Sequence, residues 1–204
     1  MTFDRPFQLY RPLAALTVAV SLVALSGCSA MQAQNPSGSY KPVNAVADNP
    51  EQRLFLKGAD VTAYFIQGAY VQGKPEFRST YEGVDFRFAS AQSKAAFDQS
   101  PAKYLPQYGG YCANGVMFGI PWGGDADSWR MTDGKLYLYG GQGSKDAFLL
   151  DEKGNIALAD KYWADEVKGS NSFIQRTKRL ILRVPHYQSG EEQARLVAAA
   201  KIKP

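Results

Sequence analysis

"FRSTYEGVDFRFASAQSKAAFDQ", residues 77–99, is the stretch whose reading decides the fold. Residues 77–81 and 84–88 are alternating runs, and Glu82-Gly83 between them is the two-residue linker of a tight hairpin. Side chains alternate along a strand, so Phe86 and Phe88 share one face while Asp85 and Arg87 take the other. A hairpin with one apolar face needs a cover. Ser90 is suited to cap a helix over 91–99 whose Ala91, Ala95 and Phe97 return to the hairpin, and Pro101 fits the first turn of a short helix ending before Pro106.

The punctuation recurs downstream. Residues 128–132 and 135–139 flank Asp133-Gly134, a strong turn signal, and helices are predicted over 144–152, capped by Ser144, and over 155–163. Upstream, the β-branched and aromatic residues of 60–65 predict a short strand, followed by a loop through Gly68, Gly73 and Pro75. The fold class is therefore α+β: a small single domain of two β-hairpins with short packed helices, plus a helical C-terminal extension. In that extension Phe173, Thr177, Leu180, Ile181 and Val184 form one helical face and Arg176, Arg179 and Arg183 another, before Pro185. Either the apolar stripe packs on the domain or the helix lies on an anionic membrane surface. A last helix is predicted over 191–201, after Gly190.

At the other end, Arg5 and Arg11 precede an apolar run over 13–25 that is too short to span a bilayer and reads as a signal peptide. The run closes Leu25-Ser26-Gly27-Cys28, which resembles a bacterial lipobox and so implies cleavage before Cys28 and lipidation of its sulfur. Resemblance to such lipoproteins also implies that Ser29, in place of Asp behind the cysteine, favours sorting to an outer membrane. The organisation expected is a leader over 1–27, a polar flexible tether over 28–52, the domain over 53–167 and the extension over 168–204. Such a chain sits in the bacterial cell envelope, faces the periplasm, and has the lipid bilayer as a partner through acylated Cys28. The formal charge of +4 is modest, and in that compartment an envelope protein or a small ligand is expected as partner rather than nucleic acid.

There are two cysteines. Acylation of Cys28 would leave Cys112 without an internal disulfide partner, so the fold must be held by its core. A composition of 45% hydrophobic and 13% aromatic residues suffices for one.

Around the opening stretch stand G-x-D-x-x-A-Y-F from Gly58 to Phe65, F-A-S followed by F from Phe88 to Phe97, P-x-K-Y from Pro101 to Tyr104, and Y-G-G-Y-C-A from Tyr108 to Ala113. Together with "DGKLYL" and "GNIALADKYW" they resemble a YHS domain protein of the exported bacterial type, over residues 56–163. The resemblance implies a small α+β unit. Metal-linked relatives found beside copper-transporting ATPases carry F-C-S-x-x-C, two thiolates one helical turn apart that suit a soft metal. Those positions are Ala89 and Ser93 here, so the paired-sulfur site is lost.

Cys112 is the remaining candidate for chemistry. It follows Gly109 and Gly110, where backbone N–H groups can stabilise a thiolate; the alternative is a small buried hydrophobe beside Tyr108 and Tyr111. The one histidine, His186, lies outside the region of resemblance, and a C-x-x-C partner is absent, which disfavours hydrolase and thioredoxin chemistry. A cluster of Cys112, Met117 and Met131, with His186, would suit a soft metal such as copper, although methionines also serve as core filler. Tyr108, Tyr111, Cys112 and Trp122, set among glycines, are candidates for a concave ligand site or, alternatively, for an aromatic core layer. Asp125 and Asp127 lack the further ligands of a Ca²⁺ loop, and "GGQGS" lacks the ending of a P-loop. The function expected is a membrane-anchored, non-catalytic module that binds a ligand, a metal or a partner. A thiol-dependent redox protein using Cys112 is the alternative.

Overall fold

The computed structural model describes residues 45–49 and 52–202. The leader, Cys28 and most of the expected tether lie outside the described residues.

The hairpin forms as its alternation requires. β3 (Lys74–Tyr81) and β4 (Val84–Phe88) pair antiparallel, and Glu82 and Gly83 both take positive φ, 50° and 74°, the geometry of a turn whose twist matches the strands. On the other side of β4 the sheet continues with β2 (Gln52–Phe55), parallel to β4, and β1 (Ala45–Asn49), antiparallel to β2, giving the order β1-β2-β4-β3. The ordered sheet thus begins inside the segment expected to be a tether. Pairing of Ala45, Val46 and Ala47 with Phe55, Leu54 and Arg53 covers an edge of β2 that would otherwise expose a row of backbone groups.

Residues 60–65 depart from expectation. A helical turn, α1 (Ala63–Ile66), replaces the strand. The buried Asp60 carboxylate accepts bonds from the Thr62 amide at 2.9 Å and the Thr62 hydroxyl at 2.7 Å, fixing a turn that overrides β-branched propensity. Its second oxygen accepts from the Ala89 amide at 2.9 Å and so ties this turn to the end of β4.

Ser90 caps α2 (Ala91–Gln99) by accepting from the Ser93 amide, and Pro101 opens α3 (Pro101–Tyr104). Phe97 of α2 reaches Phe86 and Phe88, ring centroids 4.7 and 5.0 Å away, at the centre of the first core. The second hairpin, β5 (Asp125–Thr132) and β6 (Lys135–Tyr139), turns at Asp133 and Gly134, again both of positive φ. β6 is buried on both faces: Leu136 and Leu138 enter the first core, Tyr137 and Tyr139 the second. The second core gathers Tyr108, Tyr111, Val116, Phe118, Ile120 and Phe148 under α4 (Ala113–Val116), α5 (Gln142–Leu149) and α6 (Glu152–Tyr162).

The helices after β6 start earlier than predicted. Gly141, at φ 99°, precedes α5, and Ser144 is not its cap; that hydroxyl lies 3.2 Å from Cys112 Sγ instead. Asp151 caps α6 by accepting from the Gly154 amide at 3.1 Å, so the helix begins before Asn155.

In the extension, α7 (Ser172–Ile181) is capped by Asn171, and α8 (Gly190–Ile202) comes after it. Of the two alternatives for the apolar stripe, packing on the domain holds only for Val184, which lies past the end of α7 and is buried in the second core; α7 itself docks by its polar face. Gln175 Nε2 donates to the Gly119 carbonyl at 2.9 Å and Arg176 Nε to the Pro121 carbonyl at 2.7 Å, while Ile174, Leu180, Ile181 and Leu182 stay 65%, 54%, 77% and 61% exposed. The receiving surface is an irregular segment after a four-residue helix, which offers backbone carbonyls with no helical partner; polar side chains satisfy them.

Candidate functional site

Between the two cores lies a cavity of about 760 Å³. The sheet contributes Phe55, Val84 and Phe86 to its lining, and Tyr108, Trp163 and Leu105 complete the apolar part. Two cationic residues, Arg53 and Lys168, and one acidic residue, Glu82, stand among its lining. Tyr108 stands in a strained turn. Tyr108, Gly109 and Gly110 take positive φ in succession, 56°, 60° and 81°, which glycine tolerates freely and tyrosine does not. Tyr108 is held there by donating its hydroxyl to Asp160 Oδ1 at 2.9 Å and by its contacts with the Tyr137 and Trp163 rings. Burial first, and the Asp160 carboxylate second, push its phenol far above the ordinary range, so it is a neutral donor across physiological pH.

A YHS domain is found at residues 62–108. It begins in the turn before α1, takes in the β3–β4 hairpin, α2 and α3, and ends at Tyr108, so the cavity sits where the YHS domain meets the C-terminal half of the chain. The Tyr111-Cys112-Ala113 part of the longer motif falls beyond the matched residues. No curated protein and no solved structure matches the chain.

The soft-metal position of metal-linked relatives can be tested on its donors. Ala89 offers a methyl group and donates its amide to Asp60, and Ser93 places its hydroxyl 3.1 Å from the Ser90 hydroxyl. A methyl and a hydrogen-bonded hydroxyl do not fit a soft metal, and this pair supports no metal chemistry. Of the other soft candidates, Cys112 and Met117 bracket α4, and Met117 joins the second core, whereas Met131 packs against the first. The structure does not bring the three together as one cluster. Among the described residues, His, Cys, Asp and Glu form no group of three able to hold an ion.

The predicted ligand residues separate in the same way. Tyr108 lines the cavity, whereas Tyr111 and Cys112 are buried and do not line it, Cys112 with 3% of its surface exposed. Trp122 is 45% exposed and lies over Gly115, where an added Cβ would come within 2.5 Å of the indole. Burial raises the Tyr111 phenol, opposed by its bond to Ser172 and by the charges of Arg176 and Arg53. His186 does not pair with Cys112: its Nε2 meets the Met117 carbonyl at 2.9 Å, with its ring against those of Phe118 and Tyr162.

Sequence reading missed Arg53, Phe55, Trp163 and Lys168 as cavity residues. They are contributed by segments more than a hundred positions apart, and only the β2–β4 pairing and the turn of Trp163–Val167 converge them.

Proposed function

We propose that this chain is a non-catalytic binding module, lipid-anchored through Cys28 in the bacterial envelope, whose cavity takes a small amphipathic anion. The YHS domain fits such a module. The observation that carries the ligand class is the lining: apolar walls of Phe55, Val84, Phe86, Leu105 and Trp163, with the cations Arg53 and Lys168 outnumbering the one acidic residue, Glu82. Such a volume is of the size that binds small molecules, and apolar walls with few polar groups are their usual lining. Anchoring is supported by the leader that ends at Leu25-Ser26-Gly27-Cys28, and the stretch to Ala45 would serve as tether, with the domain facing the periplasm, at the outer membrane given Ser29.

The redox alternative requires an accessible sulfur beside a base or cation. Cys112 is buried, and its polar neighbour is the Ser144 hydroxyl, so the binding module is the better-supported reading.

Dodecanoate tests the cavity, with dodecanol as the uncharged control. Dodecanoate should change the emission of Trp163, Trp163→Phe should abolish that change, and Lys168→Ala should weaken binding about tenfold through loss of one charged contact. Equal affinity for dodecanol, or no binding of either, would overturn the ligand class. Mass spectrometry of the N-terminal peptide tests the anchor: a diacylglycerol adduct on Cys28 is expected, and a free or disulfide-bonded Cys28 would sink it.

A further inference from the structure

A helix on the surface of a globular domain turns its apolar stripe inward, because burial of that stripe is what holds it. α7 does the reverse. Its inward face is Ser172, Gln175 and Arg176, all buried, and Arg179 is held by Glu166. Its outward face and the residue after it present Ile174, Leu180, Ile181 and Leu182, four of the nine large hydrophobic residues exposed among the described residues. Concentration of exposed apolar groups on one short element marks an interaction surface.

Charge identifies the occupant. From Lys168 to Arg183 the sequence holds five cationic residues and no acidic one. Lys178 and Arg183 are exposed beside the apolar strip, Lys168 is exposed in the segment leading into α7, and Lys178 and Arg179 share Glu166. A strip of branched apolar side chains rimmed by cations complements a surface with an apolar interior and anionic headgroups. The strip is too short to cross a bilayer, and no helix among the described residues is long and apolar enough to do so. Chain geometry agrees: Ala45 pairs with Phe55, which lines the same cavity as Lys168 and Gly169, so the N-terminal segment joins the fold one cavity's width from the residues that lead into α7.

We propose that the outward face of α7 lies on an anionic membrane, inserting Ile174, Leu180, Ile181 and Leu182 at the headgroup boundary and thereby holding the domain in one orientation on the bilayer. The contact extends the lipid-anchor reading but is tested apart from it, since the state of Cys28 is read by mass spectrometry and the contact is not.

The test uses the full chain on phosphatidylcholine vesicles with and without phosphatidylglycerol, carrying a nitroxide at Ile181→Cys or, as a reference on α2, at Gln99→Cys. Every variant carries Cys28→Ser, which removes both a competing label and the lipid anchor, and native Cys112 is buried and so shielded from labelling. On vesicles with phosphatidylglycerol the label at 181 should be relaxed by oxygen, which partitions into lipid, and protected from a water-soluble nickel chelate, while the label at 99 stays aqueous. Adding Ile174→Asp should reduce the protected population about tenfold or more, the effect of losing one buried apolar side chain. A label at 181 that remains aqueous on these vesicles overturns the proposal. So does protection before vesicles are added together with a doubled mass by light scattering, which would assign the face to a second copy of the chain. Equal protection without phosphatidylglycerol would overturn the charge complementarity that points to an anionic surface.

Discussion

The β3–β4 hairpin with α2, and α7 with the segment it covers, are built by opposite rules. In the first, Phe86, Phe88 and Phe97 face inward and the charges of β3 face water; in the second, Gln175 and Arg176 face inward and the isoleucines face water. The difference lies in the receiving surface. A completed sheet has its backbone groups paired and offers only apolar side chains, whereas the segment from Gly119 to Pro121 offers carbonyls. Amphipathic periodicity therefore shows that a helix has two faces without showing which one docks.

The sharpest test of the contrast compares single truncations. Phe97→Ala should destabilise by about 3–5 kcal/mol in urea denaturation, because it empties the centre of a packed aromatic cluster. Arg176→Met comes next, at about 1.5–3 kcal/mol, since it leaves the Pro121 carbonyl without its charged donor; amide exchange in α7 should accelerate more than in β4. Equal acceleration in both would show that the two regions are not separable.

A smaller effect is expected from Glu166. Partial burial raises its carboxyl, but bonds from Lys178, Gln175 and Arg179 outweigh that and hold it below its ordinary value of 4.5. A folded value below the unfolded one means that this contribution is complete above about 4.5 and is lost as pH falls through the folded value. Thermal stability should decline on acidification below that point, and Glu166→Gln should flatten the decline; an unchanged slope would remove Glu166 from α7 docking. Smallest of all, Ile181→Ser should shift stability by no more than about 0.5 kcal/mol in solution. A loss comparable to that of Phe97→Ala would refute the inverted docking outright.

Much of the first region was legible. Both hairpin turns, the Ser90 cap and the Pro101 start are written in adjacent residues, so local rules reach them. The strand expected over 60–65 failed because Asp60 bonds to residues 62 and 89 at once, and the second partner is invisible to a local window. Ser144 failed as a cap for a related reason: its hydroxyl meets Cys112, 32 positions earlier. The cavity was the least legible feature. Of the four residues read as its lining only Tyr108 is there, because glycine-rich sequence announces close approach without saying what approaches. Nor did the pattern of α7 announce that its cations are shared between an inward and an outward role.

The alternation Leu136-Tyr137-Leu138-Tyr139 gives β6 two hydrophobic partners and no solvent face. A slip of one residue in that strand would send tyrosines into the space shaped for leucines and leucines into the space shaped for tyrosines, spoiling both halves of the molecule together. Neither half can therefore be right while the other is wrong, and the protein is expected to melt in a single cooperative step despite its divided interior.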